Sequence, residues 1–197
     1  ENAINHISGH EVLITSEEHS INTSDVIILP GVGAFPDAMK KLNEMNLIGI
    51  LEEVVHNQKK PTLGICLGMQ LLFDYSEEKG MTQGLGWIPG KVCYMKPNNN
   101  LRVPHIGWNS LEITKSDSIF EYLKEDKDFY FVHSLHAVCD PKYVLARFDY
   151  GGLMTAAVQN GNIVGMQFHP EKSQNIGLKA LKSFFDWSAN YKESQSA

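Results

Sequence analysis

The sequence predicts an α/β fold: a single domain with a mixed, largely parallel central sheet flanked by helices on both faces. Three observations carry that expectation. Val26-Ile27-Ile28-Leu29 is a continuous apolar run of the kind buried on both faces of a parallel sheet. Thr62-Leu63-Gly64-Ile65 runs through Cys66 into an amphipathic segment, which reads as strand, sharp turn and helix. Four further strand-like runs, residues 129–132, 143–148, 154–158 and 163–168, precede a closing helix.

Composition bounds the rest. A chain of 197 residues, 43% hydrophobic and 20% charged, suits one ordinary core, so residues 1–197 are expected to form one domain. Lys and Arg total 17 against 23 Asp and Glu, and the net charge of -6 gives no electrostatic footprint for nucleic acid. No apolar run approaches the roughly 20 residues of a membrane helix, and no signal-peptide pattern is present. The cysteines, Cys66, Cys93 and Cys139, are odd in number and scattered, which points to reduced thiols in a cytoplasm.

In chain order, residues 1–8 read as a helix with Ala3, Ile4 and Ile7 on one face, ending at Gly9. Residues 11–15 read as a short strand, and the strand at 26–29 follows. Pro36 suits the first turn of a helix over 36–45, and a second helix covers 48–57. The apolar spacing of Leu67, Leu71, Leu72 and Tyr75 extends the helix after Cys66 to about residue 75. Beyond it Gly84, Gly86, Pro89 and Gly90 punctuate shorter runs such as 91–95, expected to pair antiparallel, and Pro97-Asn98-Asn99-Asn100 marks a turn. Asn160-Gly161 reads as a hairpin turn, and the final helix spans 177–189 with a fraying tail over about 190–197.

The chemistry centres on Gly64-Ile65-Cys66-Leu67-Gly68. A cysteine on a strand-to-helix turn has its sulfur lifted clear of the backbone, and the helix dipole favours negative charge there. Glycines two before and two after it remove side chains that would crowd the corner, as in a nucleophile elbow. A base is offered by His169, just past the strand ending at Phe168. If the backbone stays extended, Glu171 shares a face with His169 and can fix its tautomer, which makes a Cys-His-Glu triad. The oxyanion has two plausible donors: the Leu67 N–H, and an N–H of the Gly31-Val32-Gly33 loop. The other histidines form no ligand set with the cysteines, so no metal and no cofactor is expected. His133 and His136 read as packing or partner features.

Gly64-Ile65-Cys66-Leu67-Gly68-Met69-Gln70 and Phe168-His169-Pro170-Glu171-Lys172-Ser173 together resemble the class I (triad) glutamine amidotransferases. Within that family Pro30-Gly31-Val32-Gly33-Ala34-Phe35, Val103-Pro104-His105-Ile106-Gly107-Trp108-Asn109 and Phe131-Val132-His133-Ser134 resemble the glutaminase subunit of imidazole glycerol phosphate synthase. The resemblance implies that Cys66 attacks the side-chain amide of glutamine, that His169 shuttles the proton, and that Glu171 orients His169. It implies that Gly33, Gln70, Ser134 and the backbone near Leu135 hold the substrate. It also implies a heterodimer with a (β/α)8-barrel cyclase/synthase subunit that receives the ammonia in histidine biosynthesis, docking near Trp108, Asn109, Tyr130 and Lys172.

The family begins with a strand and an Asp-Tyr-Gly-x-Gly-Asn turn that this sequence does not show, so an N-terminal strand is expected to be missing and the natural protein to be longer. The family's aromatic pair after His133-Ser134 is here Leu135-His136, which spares a backbone contact to glutamine but not a ring contact. Paralogues that feed ammonia to sugar-modifying synthetases of surface-polysaccharide pathways share the elbow and triad, and stand as the alternative function. A cysteine hydrolase acting on γ-glutamyl conjugates or peptides is a more distant one.

Overall fold

The computed structural model describes residues 1–7, 9–98, 100–115, 119–120, 123 and 127–196. Helix α1 (Asn2–Ile7) buries Ile4, and α2 (Glu18–Thr23) leads to strand β1 (Ile27–Gly31). Helices α3 (Phe35–Glu44) and α4 (Leu47–Glu52) follow, the latter running into a π turn at Glu53–Asn57. Strand β2 (Thr62–Cys66) enters α5 (Leu67–Leu71), then come β3 (Phe73–Ser76), β4 (Thr82–Gln83), β5 (Ile88–Tyr94), β6 (His105–Ser110) and β7 (Glu112–Ile113). The chain closes with β8 (Asp128–His133), β9 (Leu135–Cys139), β10 (Val144–Asp149), β11 (Leu153–Asn160), β12 (Ile163–Met166) and α6 (Gln174–Ser196).

Among the described residues the central sheet has six strands in the order β1-β2-β12-β11-β10-β7. Its parallel pairs are β1 with β2 and β2 with β12; the other three pairings are antiparallel. The connections explain the mixture: the link from β1 to β2 crosses over through α3 and α4, whereas β11 and β12 are joined by two residues. Asn160 pairs with Ile163, so the loop is Gly161-Asn162, one residue later than Asn160-Gly161. Asn162 is held there by donating to the carbonyls of Val55 and Lys60, both at 2.8 Å. A second sheet, β4-β3-β5-β9, and a two-stranded ribbon of β6 and β8 flank the first. Within the second sheet β3 and β5 run parallel, an exception to the antiparallel pairing expected beyond the elbow.

Two apolar clusters sit on opposite faces of the central sheet. Neighbouring residues of one strand fall in different clusters, Ile27 against Ile28 and Ile163 against Val164, as the period of two requires. Ile28 and Val164 join α1, α6 and the rings of Phe129, Phe131, Phe148 and Phe168. Ile27 and Ile163 join α3, α4 and α5.

Several elements depart from expectation. Residues 11–15 form no strand, and Leu13 and Ile14 are 65% and 81% exposed. An apolar run becomes a strand only where a neighbour takes up its backbone groups, and none among the described residues does so. The helix after Cys66 ends at Leu71 rather than near Tyr75. The Leu71 carbonyl accepts from Leu85 N–H, and the Leu72 carbonyl from Trp87 and Ile88 N–H, so the chain turns out of the helix without orphaning its last carbonyls. The final helix starts earlier and runs to Ser196, and Lys192 forms an ion pair with Asp25. Ser8, Asn99 and Ala197, which fall in the first helix, the Pro97–Asn100 turn and the tail of the sequence reading, lie outside the described residues.

The elbow rests on direct backbone packing. A Cβ on Gly68 would lie 1.7 Å from the Leu29 carbonyl oxygen of β1, and one on Gly64 would lie 2.6 Å from the Gly68 carbonyl oxygen. Both obstacles are main chain, so neither can swing aside. Gly68→Ala is therefore expected to destabilise the fold by about 3 kcal/mol, the upper range for overpacking. Gly49→Ala, in α4 with nothing within 4 Å of its Cβ, is expected to be neutral or stabilising by up to about 1 kcal/mol. Denaturant midpoints of the two variants check the contrast.

Candidate active site

Strands β1, β2 and β12 end together at their carboxyl ends, with Gly31 level with Cys66 and Met166 level with Ile65. That edge is where open α/β sheets present functional groups. Cys66 takes φ 53° and ψ −110°, a strained conformation for a side chain other than glycine, and its residue is 7% exposed. The strain is held by the glycine contacts behind it, and it projects the sulfur away from the strand.

His169 reaches the same place from β12. Its N–H donates to the Tyr130 carbonyl at 2.9 Å, and its own carbonyl accepts from the Ser173 hydroxyl at 2.7 Å. That hydroxyl in turn accepts from Tyr130 N–H at 2.9 Å, which stitches β8 to the segment after His169. Pro170–Lys172 is a 3₁₀ turn rather than extended chain. The expected pair forms all the same, with His169 Nδ1 2.7 Å from Glu171 Oε1. Nδ1 therefore carries the proton given to the carboxylate, and Nε2 is left for chemistry. Nε2 is buried with no hydrogen-bond partner within ordinary limits. Burial pulls the imidazole towards its neutral form, but the Cys66 side chain and Glu171 outweigh it and push the pKa up to about 9. Burial raises the Glu171 carboxyl, and the hydrogen bond from His169 more than reverses this, leaving it below the usual range.

A cavity of about 290 Å³ opens over these groups, and its walls include Cys66, Leu67, His169, Val32, Gly33, Gln70, Ser134 and Leu135. The structure thus brings together the residues expected to supply the nucleophile, base, oxyanion donors and substrate contacts, with Glu171 behind the imidazole. Leu67 opens α5 directly after Cys66, and Gly33, at φ 106°, gives its loop a turn that other residues resist. Leu135 contributes its carbonyl, which accepts from Gln70 Nε2 at 3.3 Å and from His133 Nδ1 at 2.7 Å. His136 points elsewhere, with Nε2 3.5 Å from Cys93 Sγ.

Two contributors, Glu78 and Gln167, were not read from the sequence, and His133 was expected only as a packing or partner feature. Glu78 lines the cavity and its carboxylate caps α3, accepting from Phe35 N–H at 2.6 Å; within Glu77-Glu78-Lys79-Gly80 it looks like an ordinary exposed turn. His133 is buried as a neutral ring, its pKa pushed by burial down to about 4, with Nε2 3.4 Å from His105 Nδ1. Gln167 is fully buried at the end of an apolar run, a signal available in principle, because a buried amide must find partners. Among the described residues no group of three or more His, Cys, Asp or Glu side chains is placed to hold a metal ion.

Trp108 and Tyr130 are register partners on β6 and β8, their rings edge to face at 6.0 Å, and Trp108 is 47% exposed. Lys172 is exposed in the turn after Glu171. Asn109 lies on the opposite face of β6 from Trp108 and donates to the Asp149 carbonyl at 2.8 Å, so it does not share the aromatic pair's surface.

The family profile for glutamine amidotransferase class-I matches residues 6–186. The chain belongs to the class I glutamine amidotransferases. It is 63% identical over 187 residues to imidazole glycerol phosphate synthase subunit HisH 2 of Vibrio vulnificus (strain YJ016), covering 95% of this chain and 87% of the relative. It is 46% identical to subunit HisH of Aquifex aeolicus (strain VF5), covering 88% of this chain and 83% of the relative. Among solved structures, a glutamine amidotransferase superposes with a TM-score of 0.71 at 19% identity, covering 95% of this chain and 91% of that one, a likeness of fold. No helix among the described residues of this amidotransferase is long and apolar enough to cross a membrane.

The raised pKa of His169 has a testable sign. Between the ordinary value of 6.5 and about 9 the folded imidazole keeps a proton that the unfolded one has lost, so this contribution to stability is full below 6.5 and fades as pH rises through 9. Glu171→Gln removes a negative charge that favours the imidazolium. NMR titration of the His169 ring is expected to show its midpoint near pH 9 in the parent and at lower pH in the variant.

Proposed function

We propose that this amidotransferase is the glutaminase subunit of an imidazole glycerol phosphate synthase. It hydrolyses glutamine to glutamate and ammonia through a cysteinyl thioester and delivers the ammonia to a (β/α)8-barrel cyclase/synthase subunit of histidine biosynthesis. The observation that carries the reading is the single cavity that gathers Cys66, His169, Leu67, Gly33, Gln70, Ser134 and Leu135. Its 290 Å³ lies at the small end of ligand pockets, roughly 300–1,000 Å³, and suits a free amino acid better than a peptide. The Glu78 carboxylate on the wall is a fitting partner for the α-ammonium group of glutamine.

The steps follow from the groups present. The sulfur of Cys66 attacks the amide carbon, and the developing oxyanion is met by N–H groups of Leu67 and the Val32-Gly33 loop. With its pKa at about 9, His169 holds a proton at neutral pH and gives it to the departing nitrogen as the C–N bond breaks. The now neutral imidazole takes a proton from water, whose oxygen attacks the thioester carbon; the C–S bond breaks, releasing glutamate and restoring the pair. Glu171 holds the ring in the tautomer that each step needs. Ammonia loses its nucleophilicity when protonated by water, so a docked partner has chemical value. The exposed Trp108 ring, the half-buried Tyr130 ring against it and the exposed Lys172 lie beside the segment that carries His169, which supports that face as the docking surface. The free cysteines Cys66, Cys93 and Cys139 fit a reducing cytoplasm.

The reading is tested by glutamine hydrolysis, for the protein alone and mixed with a barrel synthase subunit and its ribulotide ligand. A large rise on mixing is expected; no rise, with Cys66 reduced, would move the partner to a sugar-modifying synthetase. Cys66→Ala is expected to abolish synthesis from glutamine in the complex while leaving synthesis from ammonium salts intact. Glu78→Gln is expected to raise KM for glutamine about tenfold with a smaller effect on kcat, the scale of one hydrogen bond to a charged group.

A further inference from the structure

The Leu135 carbonyl can only accept a hydrogen bond, and from that the orientation of a buried chain of amides follows. Gln70, 5% exposed, approaches that oxygen at 3.3 Å, so the atom nearest it is the Nε2 donor. The same Nε2 lies 2.9 Å from Gln167, whose facing atom must then be its acceptor Oε1. The Gln167 amide is thereby turned with its own Nε2 towards Cys66 Sγ, at 3.8 Å. Gln167 is 0% exposed and its backbone N–H is fixed on the Ala156 carbonyl at 2.8 Å, so neither water nor main-chain movement offers the amide another arrangement. Flipping it would set an oxygen against the sulfur and two donors against each other.

We propose that Gln167 is a catalytic residue whose side-chain N–H donates to the Cys66 sulfur and stabilises it as a thiolate, with Gln70 and the Leu135 carbonyl as the positioning groups that aim it. The N–H stays on Gln167 throughout; the proton of the thiol passes to His169. A donor aimed at a sulfur from within a dry interior favours the charged form, and it is in place before substrate arrives. This adds a third influence on the sulfur to the imidazole and the start of α5. It rests on the reading of Cys66 as the nucleophile, but not on the identity of the substrate.

The test uses the full chain and iodoacetamide, a small alkylating probe that needs no glutamine contacts, with each cysteine followed by peptide mass across pH. Gln167→Met keeps the volume and lacks the donor. The pH at which Cys66 alkylation reaches half its plateau is expected to rise by about one unit, a tenfold slower reaction on the acid side, while kcat for glutamine falls more than KM changes. Gln70→Met leaves Gln167 in place without the group that turns it, and a smaller shift in the same direction is expected. Burial pushes the thiols of Cys93 and Cys139 up, Cys139 to about 11, so their unchanged profiles serve as internal controls. A parental half-plateau pH in folded Gln167→Met, or in Gln70→Met should the first variant not fold, would overturn the proposal. A shift as expected in a chain that does not hydrolyse glutamine would support the role of Gln167 and refute only the substrate.

Discussion

The contact on which the rest depends is one of main chain with main chain. α5 lies so close to β1 and β2 that Gly68 touches the Leu29 carbonyl and Gly64 touches the Gly68 carbonyl, with no volume left for a methyl group. That closeness fixes where α5 begins, and so holds Cys66 in a backbone conformation that an isolated chain would leave at once. It also sets the Leu67 N–H beside the sulfur and brings Gly31 level with Cys66, which carries the Val32-Gly33 loop over the cavity. The reactive geometry is thus a product of packing several residues away, and the cost of the strained residue is spread over two strands and a helix.

Charge and polarity are arranged around that corner in two layers. The outer layer is ionic: His169, with Glu171 on one side and Cys66 on the other, is pushed up to about 9 in spite of its burial. The inner layer is neutral and fully buried, running from His105 through His133, the Leu135 carbonyl, Gln70 and Gln167. Neutral groups in a closed chain have no reason to change charge near pH 7, and burial drives His133 to about 4, far from titrating there. Charge is confined to the first layer, and the second is neutral near pH 7.

Much of this was legible in the sequence where local pattern and local chemistry coincide. The Gly-x-Cys-x-Gly corner and the run 26–29 each occupy a few consecutive residues and fold as their local pattern predicts, while the His169-Glu171 pair forms through a 3₁₀ turn instead of the extended backbone from which it was expected. Legibility ended where a residue's role depends on partners far along the chain. Residues 11–15 carry an apolar run, but nothing in that run says whether a neighbouring strand exists. Leu71 and Leu72 look helical because their spacing is helical; the N–H groups of Leu85, Trp87 and Ile88 that cap them are more than ten residues away. Glu78 looks like a solvated charge until α3 is folded against it, and Gln167 looks like a polar interruption until Gln70, 97 positions off, supplies its donor.

The Ser173 hydroxyl accepts from β8 and donates to the carbonyl of His169, while His169 N–H donates back to β8 at Tyr130. In mechanical terms the His169 backbone has no hinge of its own relative to that strand. A tilt of the β6/β8 ribbon would carry the imidazole with it as a lever arm carries its tip, with the exposed Trp108 ring at the handle. Alignment of nitrogen with sulfur is therefore a property of how a whole ribbon sits, and not of one side chain's rotamer alone.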